Sequence, residues 1–161
     1  MATANDIIVA SLTTAKMMAR RFTDDLQPNE YLHRPTPKAN CAAWLLGHLT
    51  LTNRRTAAMF NADLPPLPEG FEKRFAQDES APTATEFGDC GSLMTLLEQS
   101  FDALIAAVKR ASPEQLDTPV PKPRPMFKTL GELANFMALH ATIHIGQITV
   151  IRRSLGRPPI I

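Results

Sequence analysis

Three of the four histidines in this chain stand where they can share chemistry. His140 and His144 lie four residues apart in an apolar-periodic stretch, Ala138 to Gln147. On an α-helix that spacing stacks them on one face, about one turn apart. Such a pair can grip one metal ion. His48 lies inside another apolar stripe rather than on its polar side. Taken singly, each would be a buried neutral imidazole held by a hydrogen bond. Taken together, three polar rings among apolar neighbours are costly to bury unless they share a partner, and a divalent metal satisfies three ring nitrogens at once.

No carboxylate completes the set at an obvious ligand spacing. Glu132 is eight residues before His140, and Asp102 belongs to a different helix. Three protein ligands leave positions open for water or substrate, the mark of a catalytic rather than a structural metal.

Positioning these side chains requires helices. Apolar residues recur at three- and four-residue steps from Asn5 to Leu26, with Thr3 or Asn5 as cap and Pro28 beyond the end. A second helix is expected over Cys41 to Phe60, capped by Asn40, with His48 in a wide apolar stripe. Asn61 to Gly91 carries four prolines and reads as an irregular crossover, with a helical turn near Phe71 to Gln77. A segment that long commonly serves as a lid or binding loop, and this one is placed to roof a site.

Leu93, Leu96, Leu97, Phe101, Leu104 and Val108 predict a third helix from a Ser92 cap to Ala111, and Ser112-Pro113-Glu114-Gln115 opens a short helical turn. Thr118 to Lys128, with proline at 119, 121, 123 and 125, is expected to run extended over the surface. Thr129-Leu130-Gly131-Glu132 is a capping box for the last helix, which runs to Leu155 before Gly156 and Pro158-Pro159. Strand alternation is absent. The expected fold is all-α, a four-helix bundle with a long crossover between helices two and three, spanning residues 1–161 as one domain.

Composition narrows the function classes. A formal net charge of +1 gives no concentrated basic surface for nucleic acid. The pairs Arg20-Arg21, Arg54-Arg55 and Arg152-Arg153 read as solvated helix faces, the last also complementing a helix dipole. No apolar run reaches the ~18 to 20 residues of a membrane span, and the first residues lack a signal-peptide pattern. Cys41 and Cys90 have no metal-type spacing. A cytoplasmic protein is expected.

Two segments carry a family resemblance. Asn40 to Leu49, NCAAWLLGHL, resembles the N-x-x-x-W-L-x-G-H-L segment of DinB-like proteins, the DinB/YfiT superfamily. Leu139 to Ile148 followed by Arg152 to Pro159 resembles that family's last helix, H-x-x-x-H-x-G-Q-I with a later L-G-x-P-P. The resemblance implies an up-down-down-up bundle, often a homodimer, holding nickel or zinc on three histidines. By position those ligands are His48, His140 and His144. It further implies a small-molecule substrate and activation of water or a low-molecular-weight thiol, as in hydrolases and thiol S-transferases. The alternative is a metal-binding stress-response bundle without turnover.

No catalytic side chain is singled out. Gln147, three residues after His144, and Thr52, four after His48, share faces with the histidines and are candidates to support a ligand or a bound water. Trp44 is expected in the core, and His33 is expected at the surface or in packing. Gly47 and Gly146, each beside a ligand position, are expected to permit close helix approach.

Overall fold

A computed structural model describes residues 1–75 and 89–160. Four long helices carry the fold: α1 (Ala4–Thr23), α2 (Ala42–Met59), α4 (Cys90–Arg110) and α6 (Leu130–Ser154). Short α3 (Phe71–Phe75) and α5 (Pro113–Leu116) lie in the connections, and β1 (Pro119–Arg124) and β2 (Phe127–Thr129) precede α6.

The helix starts follow side-chain chemistry. Thr3 and Asp6 form a capping box on α1, and Thr129 and Glu132 form one on α6. Asn5 turns out to cap a different helix, donating from Nδ2 to the Val108 and Ala111 carbonyls at the end of α4, at 2.6 and 3.0 Å. The cap of α4 is Asp89, which accepts from the Ser92 backbone, so the helix starts earlier than a Ser92 cap would have it. Cys41 rather than Asn40 precedes α2, with no side-chain cap bond. Gly156 takes a φ of 74° after α6, the left-handed turn that ends helices.

Cross-helix contacts set the directions. Lys16 pairs with Asp102 at 2.6 Å and Arg20 with Glu98 at 3.6 Å, so α1 and α4 run antiparallel. At the ends of α1 and α6, Arg152 donates to the Phe22 carbonyl at 3.1 Å and pairs with Asp25, so these two run parallel. Trp44 faces His144 while His48 faces His140, which makes α2 antiparallel to α6. The bundle is therefore up-down-down-up, with α2 and α4 parallel. Parallel neighbours need a connection running the length of the bundle, and the crossover supplies it.

One contiguous core joins the four helices. Ile8, Leu12, Ala15, Ala19 and Phe22 give α1 a single buried stripe, whereas every residue from Cys41 to Leu51 is buried. A helix covered on all sides must be enclosed, and α3 closes over the side of α2 that α4 and α6 leave open. Phe71 and Phe75 are its buried anchors. The expected helical turn thus exists as Phe71–Phe75, while Gln77 lies outside the described residues, as does residues 76–88 of the crossover.

Two further expectations are corrected, the absence of strands and the solvation of Arg152. The proline-dense stretch forms an antiparallel hairpin, Pro119 facing Thr129 and Arg124 facing Phe127. The pairing is irregular, with a register shift between Pro119 and Arg124, in a strand whose alternate prolines have no N–H to donate. Arg152 is no solvated residue of the last turn, being 3% exposed and paired with Asp25. No helix among the described residues is long and apolar enough to cross a membrane.

Candidate metal centre

His48, His140 and His144 converge. Each offers one ring nitrogen, and the three nitrogens lie within 4.8 Å of one another. The Nε2 atoms of His140 and His144 are 3.0 Å apart, and the His48 ring centroid stands 5.3 and 5.2 Å from theirs. Among the described residues no cysteine or carboxylate joins the group.

Each ring is held by a different neighbour. The indole of Trp44, one turn before His48, stacks on its imidazole at 4.7 Å with planes 9° apart. Trp44 is thus in the core and also orients a ring of the site. Gly47 lets α3 approach: a Cβ there would fall inside the Phe75 ring. The Phe75 backbone in turn hydrogen-bonds His48 and pulls its pKa upward, which identifies the carbonyl as acceptor. His144 Nδ1 lies 3.3 Å from Gln147 Oε1, leaving Nε2 for the centre. Phe136 stacks on His140 at 6.0 Å.

Burial makes all three weak bases. The His48 pKa is lowered to about 4, first by desolvation and then by His144 and Arg55. That of His140 is lowered to about 4 by desolvation, then by His144 and His48. Desolvation also lowers that of His144, against the Gln147 hydrogen bond. Near neutral pH the rings are uncharged and present lone pairs, the form that ligates a cation. Among the described residues the buried His140 Nδ1 has no hydrogen-bond partner. Two facing Nε2 atoms with a third imidazole beside them fit a cation-binding donor set better than a set of separately satisfied core histidines.

The remaining candidates divide. Gln147 touches the His144 ring. Thr52 instead donates back to the His48 and Leu49 carbonyls of its own helix, at 3.2 and 3.1 Å. Among the described residues nothing lies within 4 Å of a Cβ position at Gly146, so none of the described helices approaches it. His33 is a packing residue, its Nε2 2.9 Å from Ser154 Oγ. Burial raises the Cys41 thiol pKa, which makes it a poor nucleophile. Phe75 and its backbone carbonyl are the contributors that sequence reasoning missed. The only available signal was the apolar pair Phe71 and Phe75 in an otherwise proline-rich crossover.

Fold and site together define an all-α bundle whose three-histidine group can hold a metal ion. A family model described as the DinB superfamily matches residues 11–148, and the chain belongs to that superfamily. Among solved structures it is similar to one described as the conserved protein of locus from Enterococcus faecalis. The TM-score is 0.75 at 17% identity, with 98% of this chain and 100% of that chain covered. At that identity the likeness establishes the fold. No curated protein sequence matches the chain.

Proposed function

We propose that the chain is a divalent-metal-dependent enzyme of hydrolase or thiol S-transferase type, with His48, His140 and His144 as ligands of nickel or zinc. The observation that carries this reading is a triad of neutral imidazoles with no carboxylate among the described residues. An ion bound there keeps its full charge and supplies Lewis acidity, enough to lower the pKa of a water or thiol toward ~7.

The protein's own share is positional. Trp44 and the Phe75 carbonyl fix the His48 ring, Gln147 fixes His144, and α3 with Phe75 keeps water from one side of the triad. A small-molecule substrate then meets a preset nucleophile rather than one that must be oriented.

A homodimer is part of the proposal. Leu139, Ile143 and Val150 are each more than half exposed on α6, spaced around Gly146, and form an apolar stripe that a second copy can cover. A cytoplasmic location is supported by two cysteines that are free rather than paired.

The test joins elemental analysis of untagged protein to activity. Wild type is expected to carry close to one nickel or zinc per chain and to accelerate p-nitrophenyl acetate hydrolysis or thiol addition to chlorodinitrobenzene. His140→Ala is expected to lose both. Full activity in the metal-free chain overturns the proposal, and metal binding without turnover across such probes favours the stress-response binding protein.

A further inference from the structure

Beside the histidines lies a cavity of about 450 Å³ between α2, the β1–β2 hairpin and α6. Its size is that of a small-ligand pocket. Thr52, one turn beyond His48, forms part of one wall, and Phe127 forms part of another. Phe127 packs on Phe136 at 5.3 Å, and Phe136 stacks on His140. None of the three histidines lines the cavity, but Phe136 links its wall to the triad.

The lining has a one-sided character. Val120, Leu133 and Met137 are buried and apolar, while the charged residues of the lining are Arg55, Lys122 and Arg124, all cations and all exposed. Apolar surface is thus interior and positive charge is at the mouth. Along β1 only Val120 is buried, and Lys122 and Arg124 beyond it are exposed. Among the described residues none of the three cations has an ion-pair partner. Arg55 also contributes to depressing the His48 pKa, so its charge is felt at the triad.

We infer that this cavity binds a small organic acid, an apolar body ending in a carboxylate, phosphate or sulfonate that Arg55, Lys122 and Arg124 recognise. An apolar body takes up the inner walls and the anion meets the cations at the rim, where charge-assisted hydrogen bonds form. A neutral ligand of the same shape loses the second interaction, and a cationic one is repelled. That this acid is the substrate rests on the metal-dependent reading above. That it binds does not.

The probes are anilinonaphthalenesulfonate and N-phenylnaphthylamine, which share an apolar body and differ in the sulfonate. By fluorescence titration of the full chain, the sulfonate is expected to bind about tenfold more tightly, with the advantage shrinking as salt rises. The triple variant Arg55→Gln, Lys122→Gln, Arg124→Gln is expected to erase that difference and leave the neutral probe's affinity unchanged. Met59→Trp, which fills the mouth, is expected to weaken both probes. Circular dichroism of each variant confirms that the fold is retained.

Equal affinity for the two probes in wild type overturns the inference, as does a sulfonate preference that survives the triple substitution. Indifference of both probes to Met59→Trp overturns it as well, because they then bind elsewhere. The metal-free chain and His140→Ala are expected to keep the sulfonate preference. Failure of the metal-centre reading thus shows as absent metal with the preference intact, and failure of this inference shows as an absent preference with the metal intact.

Discussion

The Nε2 atoms of His140 and His144 face each other at 3.0 Å across one turn of α6. Two neutral rings so placed can satisfy each other only if one donates and the other accepts. That leaves His48, 5.2 Å away between ring centroids, outside the exchange and the His140 Nδ1 without a partner. A cation held between the rings would take one lone pair from each, so that His140 and His144 need not share a proton.

Metal should therefore stabilise the fold. At about one hundred times its Kd, nickel or zinc is expected to add ~2.7 kcal/mol, readable as a rise in Tm by scanning fluorimetry. His48→Ala, His140→Ala and His144→Ala are each expected to abolish the rise. Trp44, the single tryptophan, stacks on His48 and reports the same event. Nickel is expected to quench its emission in wild type and not in the alanine variants.

Protons compete for the same nitrogens, and the sign follows from the lowered values. His48 and His140 titrate at about 4 in the folded chain against an ordinary 6.5. The unfolded chain binds more protons between those values, so metal-free stability is complete above about 6.5 and is lost as pH falls toward about 4. The slope is at most ~1.4 kcal/mol per pH unit for each histidine. Urea melts of metal-free protein across that window check it, and His140→Phe is expected to flatten the slope. A stability independent of pH there contradicts the buried, neutral triad.

How much of this was legible in the sequence depended on whether a residue's partner was local. The histidines were legible because the helical period alone puts 140 and 144 on one face, and an apolar stripe marks His48 as inward. Whereas Thr3 and Asn5 stood as alternatives for α1, Thr129 was legible as a cap because a cap bonds three residues ahead. Arg152 was not, since its partner Asp25 is more than a hundred positions away and an arginine in a last helical turn already has a reason to be there. The hairpin was hidden because prolines at alternate positions cannot donate to a ladder and so argue against a strand. The Phe75 carbonyl was invisible because every residue has one.

The two glycines beside ligand positions should behave oppositely. Gly47→Ala drives a methyl into the Phe75 ring and is expected to cost about 1–3 kcal/mol by overpacking, and to weaken metal binding because the Phe75 carbonyl holds His48. In the single chain Gly146→Ala meets open space, and at concentrations that keep the proposed dimer dissociated it is expected to stabilise by about 0.5–1 kcal/mol. Urea denaturation with parallel metal titration measures both. Equal effects at the two sites would show that α3 does not seat on Gly47.

Arg152 ties the end of α1 to the end of α6. It pairs with Asp25 and donates to the Phe22 carbonyl, while Arg157 reaches Asp25 at 2.9 Å and also pairs with Glu30. Removing the buried guanidinium strands the Phe22 carbonyl and leaves Asp25 with Arg157 alone, so Arg152→Ala is expected to lose about 2 kcal/mol. Arg152 holds the Asp25 pKa below its ordinary 3.8, chiefly through their hydrogen bond. That contribution is present above about 3.8 and is lost as pH falls through the lowered value. The stability gap between wild type and Asp25→Asn is therefore expected to stay constant from neutral pH down to about 5 and to close in stronger acid. Paired urea melts measure it, and a gap that widens on acidification would mean that Asp25 is not ionised by its arginine in the folded chain.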